Sequence, residues 1–165
     1  MQPLFSLRSF RPSDLSRVVH INQRCLPENY SNSFFMELYE KFPRTFVVAE
    51  TEGVIVGYVM CRIERDFSSL SLRPFNITKK GHIISIAVLP EYRSKGVGSA
   101  LVEEALEAMS VHYGAERCYL EVRVSNATAL KLYGKLGFEV EKTLTGYYSD
   151  GEDAYIMGRP TDSKD

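Results

Sequence analysis

Apolar and polar residues trade places along this chain in two rhythms, and the points where the rhythm changes mark out its elements. Leu4 to Phe10 alternates, with Leu4, Phe5, Leu7 and Phe10 apolar, and predicts a strand. Pro12-Ser13-Asp14 has the composition of a helix start. Leu15, Val18, Val19, Asn22 and Leu26 then recur at helical spacing until Pro27. A second short helix is expected from Ser31, carrying Phe34, Phe35, Leu38 and Tyr39 and stopped by Pro43. Thr45–Thr51 and Val54–Ile63 are β-rich runs separated by Glu52-Gly53, which predicts a hairpin. Phe67–Lys80 has no clean period and is expected to be a long mobile loop.

Gly81–Leu89 is an apolar run of strand length. From Val97 to Tyr113, Ala100, Leu101, Ala105, Leu106, Ala108 and Met109 share one helical face, and Glu103, Glu104 and Glu107 lie on the other. Gly114 is placed to end that helix. Arg117–Val124 reads as a strand. Asn126–Leu136 reads as a helix with Asn126 as N-cap and Gly137 as its stop. Phe138–Thr145 and Asp153–Met157 read as strands around a Ser149-Asp150-Gly151 turn, and the tail after Pro160 as unstructured. The order β-α-α-β-β-β-α-β-α-β-β predicts an α/β domain with a mixed sheet and helices on both faces.

Composition narrows the function. At 165 residues the chain suits one domain, expected over residues 1–160 with a flexible tail at 161–165. Twenty basic and 21 acidic side chains leave a net charge of −1, so a general nucleic-acid footprint is absent. Cys25, Cys61 and Cys118 have no metal-type spacing and suit buried thiols in a reducing cytoplasm. With no leader and no apolar run long enough for a bilayer, a cytoplasmic protein away from membranes is expected.

The candidate chemistry lies in Arg93-Ser94-Lys95-Gly96-Val97-Gly98, between the apolar strand and the long helix. A strand–glycine loop–helix junction aims backbone N–H groups at one point, with the positive end of the helix dipole behind them. The two glycines remove Cβ atoms where an anion would approach. A phosphorylated cofactor is the expected occupant. Gly96 and Gly98 are too close together for a P-loop, and Lys95 precedes them. The third glycine of a Rossmann fingerprint is replaced by Leu101. On the motif alone, a ligand-free tight turn stays open.

Arg93-x-x-Gly96-x-Gly98 after a strand resembles the acetyl-CoA loop of the GNAT superfamily of N-acetyltransferases. Asn126-Ala127-x-Ala129-Leu130-x-Leu132-Tyr133-x-x-Leu136-Gly137-Phe138 resembles its second signature. Leu26-Pro27-Glu28-Asn29-Tyr30, Gly81-His82, Tyr119-Leu120-Glu121-Val122-Arg123 and Gly146-Tyr147-Tyr148 are similar to the archaeal catalytic subunits of N-terminal acetyltransferase A, relatives of the bacterial ribosomal-protein alanine N-acetyltransferases.

The resemblance implies a mostly antiparallel sheet of about seven strands, split at its central parallel pair. It also implies acetyl-CoA as cofactor. Backbone groups of Arg93, Ser94, Lys95, Gly96, Val97, Gly98 and Ser99 would hold the pyrophosphate. The strand edge at Ile86, Ala87 and Val88, opened by a β-bulge there, would pair with the pantetheine arm, and Asn126 would bond the same arm. Tyr133 would donate to the departing sulfur. A backbone N–H near Val88 would face the developing oxyanion.

The acceptor implied is the α-amino group of protein or peptide N-termini, mostly ammonium at neutral pH because its pKa is about 8. A base is therefore needed. Glu28, His82 and Glu121 are the candidates, with His82 and Glu121 facing each other across the split and the role shared or substrate-dependent. Leu26, Pro27, Glu28, Tyr30, Glu121, Tyr147 and Tyr148 are expected to grip the peptide end, the two last as tyrosines at a strand end. A His plus a carboxylate would hold a metal only weakly, and none is expected. Partners implied are N-termini of Ser, Ala, Thr or Met-Leu type, and a ribosome or auxiliary subunit; the chain itself is expected as monomer or weak dimer. The alternatives are an acetyltransferase of lysine side chains or small amines, and a CoA-binding subunit without turnover.

Overall fold

In the computed structural model the described residues are 4–66 and 78–162. Their elements follow the order expected: β1 (Ser6–Ser9), α1 (Leu15–Cys25), α2 (Asn32–Lys41), β2 (Phe46–Thr51), β3 (Val54–Asp66), β4 (Thr78–Val88), α3 (Val97–Tyr113), β5 (Arg117–Arg123), α4 (Ala127–Lys135), β6 (Glu139–Leu144) and β7 (Ala154–Pro160). The seven strands form one sheet in the order β1-β2-β3-β4-β5-β7-β6. Only β4 and β5 run parallel; every other neighbouring pair is antiparallel.

Local chemistry accounts for most boundaries. Glu52 (φ 51°) and Gly53 (φ 76°) both take positive φ, the twist that a two-residue hairpin turn needs. Ser31 accepts from the Phe34 amide to cap α2, and Asn126 accepts from the Ala129 amide to cap α4. Gly114, at φ 67°, closes α3 by giving its N–H to the Met109 and Ser110 carbonyls.

Successive strand residues point to opposite faces, and β4 shows what covers each. A Cβ on Gly81 would stand 2.2 Å from Met109 Sδ, so that face lies under α3. The neighbouring His82 points the other way, toward the side where α1 and the α1–α2 loop lie. The core between the layers includes Val18, Ile21, Phe35, Val48, Tyr58, Leu101 and Met109.

Two expectations are corrected. Thr78, Lys79 and Lys80 are the first residues of β4 rather than the end of a loop. They pair with Asp66, Arg65 and Glu64 of β3, and that ladder overrides a polar sequence without apolar alternation. The rest of the expected loop, residues 67–77, lies outside the described residues. The tail is tied down past Pro160: Thr161 is buried, its N–H donates to Glu116 O at 3.0 Å and its Oγ1 to Ala115 O at 2.6 Å. Ser110 Oγ donates to Asp162 Oδ1 at 2.9 Å. Residues 163–165 lie outside the described residues.

The Gly81–Met109 contact is testable. Gly81→Ala is expected to cost about 1–3 kcal/mol in denaturant unfolding, because the new methyl overpacks a filled site. In a Met109→Ala background the same methyl fills space already vacated, and its cost is expected to fall below about 1 kcal/mol.

Candidate active site

The site begins where β4 and β5 part. They pair over only Lys80–His82 and Arg117–Tyr119. Beyond those residues β4 stays with β3 as far as Val88, while β5 follows β7 as far as Arg123. On β3, Met60 stands opposite Ser85 and Cys61 opposite Ile83, so Ile84 is the extra residue of a β-bulge. The bulge therefore precedes Ile86–Val88 instead of falling within it. The Tyr30 hydroxyl donates to the Ile84 carbonyl at 3.4 Å. Past the bulge, Ile86, Ala87 and Val88 have β3 on one side and, among the described residues, no strand on the other. Close approach helps hold β4 to β3 here: a Cβ on Gly57 would stand 3.0 Å from the Ala87 carbonyl.

At the open end of the split the chain turns through Pro90–Tyr92 into the glycine loop. Arg93 Nε donates to Val88 O at 2.8 Å, so this guanidinium fastens the end of the strand. Ser94 (φ 63°) and Gly96 (φ 86°) are left-handed, and Gly96 is the N-cap of α3. Among the described residues none accepts a hydrogen bond from the backbone N–H groups of Ser94, Lys95, Gly96, Val97, Gly98 or Ser99. That makes a backbone cradle at a helix N-terminus, which fits a pyrophosphate. A Cβ on Gly98 would stand 3.4 Å from Leu132 Cδ2, in ordinary contact, so this position faces α4. Lys95 Nζ sits 5.7 Å from the Tyr92 ring centroid.

Across the split, Asn126 Oδ1 accepts from the Ala129 N–H at 3.1 Å. Its amide nitrogen remains free, among the described residues, to serve a second partner. Tyr133 is buried and meets Phe138 edge-on at 5.7 Å. Burial foremost, with Cys118 nearby, pushes its phenol well above the usual tyrosine range. The hydroxyl therefore keeps its proton at neutral pH, as a hydrogen-bond donor must.

At the closed end lies a cluster only partly foreseen. His82 Nε2 is 2.7 Å from Glu121 Oε2, which joins two of the expected residues. His82 Nδ1 is 2.9 Å from Glu64 Oε2. Glu64 also accepts from the Tyr119 hydroxyl at 2.6 Å and from Arg62 Nε at 2.5 Å. The Tyr119 ring stacks on His82 at 4.1 Å and 17°, with Lys80 Nζ 4.9 Å from the Tyr119 centroid. Burial opposes ionisation of Glu64, but the bonds from Tyr119, Arg62 and His82 outweigh it and hold its carboxyl below the ordinary range. A neutral imidazole has one N–H, yet both nitrogens face carboxylate oxygens. A neutral ring therefore donates to only one of the two carboxylates it faces.

Glu28 stands apart from this cluster. Its Oε1 accepts from Arg123 at 2.7 Å. Arg123 also donates to Asp150 at 2.8 Å and to Glu152 at 3.0 Å, and its guanidinium carbon lies 4.0 Å from the Tyr148 centroid. One side chain thus ties the α1–α2 loop to the β6–β7 loop. The partners of Arg123 are on other elements, and so is that of Arg117, which pairs with Glu141 at 2.5 Å. Tyr147 and Tyr148 lie in the β6–β7 loop, not at a strand end, and meet edge-on at 5.0 Å. Tyr147 is half exposed. Leu26 is half-buried against the core, Pro27 is exposed, and Tyr30 stacks on Phe34 at 5.0 Å. Burial, then the charges of Tyr147, Glu28 and Glu121, raises the Tyr30 phenol.

Behind this wall, buried Asn22 donates through Nδ2 to Glu28 O and to Tyr58 Oη, both at 3.1 Å, and Tyr58 Oη lies 2.7 Å from Ser85 Oγ. Burial raises the Tyr58 phenol to about 12. Sequence reasoning assigned no role to Arg62, Glu64, Tyr119, Arg123, Asn22 or Tyr58. The alternation of Tyr119, Glu121 and Arg123 was the one available signal, because period two puts all three on one face.

Comparison with known proteins agrees with this geometry. The model of the Acetyltransferase (GNAT) family matches residues 15–138. The chain is 49% identical to an N-alpha-acetyltransferase of Sulfurisphaera tokodaii over 156 residues, covering 94% of this chain and 93% of that protein. It is 35% identical to the N-terminal acetyltransferase A complex catalytic subunit ard1 of Schizosaccharomyces pombe, covering 92% of this chain and 82% of that one. Among solved structures, Ard1 from Thermoplasma volcanium superposes with a TM-score of 0.80 at 30% identity, covering 95% of this chain and 97% of that chain. The chain belongs to the GNAT acetyltransferase family. Its cofactor is acetyl-CoA, and the backbone cradle and free strand edge fit that molecule.

Arg123 gives the prediction here. In Arg123→Gln, amide hydrogen exchange at residues 28–30 and 146–152 is expected to quicken about tenfold or more while exchange in α3 is unchanged, because the loops lose their shared tie but the core does not. Mass-spectrometric exchange on both proteins checks it.

Proposed function

We propose that this acetyltransferase moves the acetyl group of acetyl-CoA directly to the free α-amino group of protein N-termini, of Ser, Ala, Thr and Met-Leu type. The observation that carries the reading is the position of His82 and Glu121 at the closed end of the split, 2.7 Å apart. The glycine-loop cradle stands at the open end, and the loops joined by Arg123 flank the entrance. The similarity to an N-alpha-acetyltransferase over 94% of the chain supports the same reading.

Acetyl-CoA supplies a thioester, and the protein must bring an uncharged amine to it. The backbone of Ser94–Ser99 holds the pyrophosphate, and the strand edge at Ile86–Val88 aligns the arm. The peptide end enters past Leu26, Pro27, Tyr30, Tyr147 and Tyr148. The Glu121 carboxylate, with Glu28 across the entrance, draws an ammonium. Glu121 and His82 take a proton from it. Glu28, already bonded to Arg123, orients the incoming terminus and shares the base role for some N-termini. Tyr133 donates to the departing sulfur.

The cellular setting belongs to the same proposal. Cys25, Cys61 and Cys118 are free thiols, and no helix among the described residues is long and apolar enough to cross a membrane. Both suit action in the cytoplasm on emerging chains, as catalytic subunit beside an auxiliary one; the likeness to the S. pombe subunit supports the second point.

Mass spectrometry on a panel of peptides tests the reading. Ser-, Ala-, Thr- and Met-Leu-starting peptides are expected to gain one acetyl group, and N-blocked peptides with an internal lysine none. Acetylation of lysine alone, or CoA binding without transfer, would overturn it. Joint replacement His82→Phe and Glu121→Gln is expected to lower kcat by about 10²–10⁴ without unfolding the protein, the usual contribution of general-base catalysis.

A further inference from the structure

We infer that Glu64 is a positioning residue for this reaction: its carboxylate fixes His82 with the proton on Nδ1, so that Nε2 takes up the proton that Glu121 removes from the amine. The inference rests on the function proposed above.

Three contacts on one carboxylate support it. Oε2 lies 2.9 Å from His82 Nδ1, within reach of an N–H on that nitrogen, and an ionised Glu64 favours the tautomer that places it there. Oε1 accepts from the Tyr119 hydroxyl at 2.6 Å, and the Tyr119 ring lies flat against the imidazole. Glu64 thus sets both the in-plane direction of the ring and the surface it rests on. Arg62 Nε, at 2.5 Å from Oε2, favours the ionised carboxylate. With Nδ1–H committed, Nε2 at 2.7 Å from Glu121 is the free end of the ring.

The proton balance follows. An N–H bond of the substrate ammonium breaks as an O–H bond forms on Glu121. That proton passes to Nε2, leaving Glu121 ionised and His82 an imidazolium between two carboxylates. After the product leaves, the proton goes to solvent and the cluster is reset. Charged and titratable groups facing it are Arg62 and Glu64 of β3, Lys80 of β4, Tyr119 and Glu121 of β5, and Glu28, Tyr30 and Tyr147 across the entrance.

The test is Glu64→Gln, which keeps the volume and some hydrogen bonding but removes the charge. With a peptide that the wild-type protein acetylates, plateau kcat/KM is expected to fall about tenfold or more, as partial loss of a general base would give. The ascending limb of its pH profile is expected to move to lower pH, because a cation beside one fewer carboxylate loses its proton more readily. In a His82→Phe background the same change is expected to cost nothing further. A loss of rate with the limb unmoved, or an equal loss without His82, would overturn the inference.

Two readouts guard against misfolding and against failure of the functional reading. Tyr119→Phe keeps the Glu64 charge and is expected to lower the rate with a smaller displacement of the limb; a displacement as large as that of Glu64→Gln would count against the role of the charge. Imidazole ¹⁵N shifts of His82 in the wild-type protein, which need no substrate, are expected to report a protonated Nδ1, and an unprotonated Nδ1 would overturn the inference by itself. Absence of N-terminal transfer by the wild-type protein would instead overturn the function, with the ¹⁵N result still deciding the tautomer.

Discussion

Two parallel neighbours that pair over three residues and then separate set the form of everything else in this molecule. Backbone N–H and C=O groups within a sheet are ordinarily paired, because leaving them bare away from water is costly. The split persists because each strand is held from its outer side, β4 by β3 and β5 by β7. The bulge at Ile84 and the close approach of Gly57 to Ala87 keep β4 with β3 as it bends away. What results is a rigid cleft with one polar strand edge, and an amide-rich pantetheine arm has the groups to complete that edge as a further strand would.

Much of this was legible in the chain because much of it is local. The hairpin at Glu52-Gly53, the ends of α3 and the cap at Asn126 each follow from turn, cap and period rules acting within a few residues. Gly96, marked in the chain as a place where an anion could approach, also starts α3 as its N-cap at φ 86°, a conformation that glycine takes readily. The Ile84 bulge was misplaced because a bulge is a mismatch between two strands and neither strand records it alone. Thr78–Lys80 look like loop because their apolar partner surface is absent; the β3 ladder supplies their order instead.

The chemical residues divide along the same line. Glu28, His82 and Glu121 stood out by resemblance, yet their partners did not. Glu64 lies 18 residues from His82 and Arg123 lies 95 from Glu28. Glu64 sits in no motif, Arg123 only closes the Tyr119–Arg123 string, and a charged residue on a strand has a solvated face as its ordinary explanation. Period two places Tyr119, Glu121 and Arg123 together, but it does not say which neighbours they meet. Only the register of β3, β4 and β5, which sets His82 opposite Arg62 and Tyr119 and leaves Glu64 diagonal to it, brings these side chains together. Arg123, at the last residue of β5, instead reaches two loops that the sheet alone would leave independent.

The position of the titratable cluster follows from the split. Adjacent strands lie about 4.8 Å apart, close enough for side chains on one face to hydrogen-bond across them. His82 pairs with Tyr119 at the last step where β4 and β5 share a ladder. There β3, β4 and β5 are all in register, so a histidine can have a partner on each side. Glu121 is two residues further along β5, the first side chain on that face after pairing ends. It therefore keeps contact with the ring while standing at the start of the cleft. One step earlier a carboxylate would be walled in by the sheet, and further along it would leave the ring behind. The end of strand pairing thus fixes where a half-buried carboxylate can reach both the ring and the cleft.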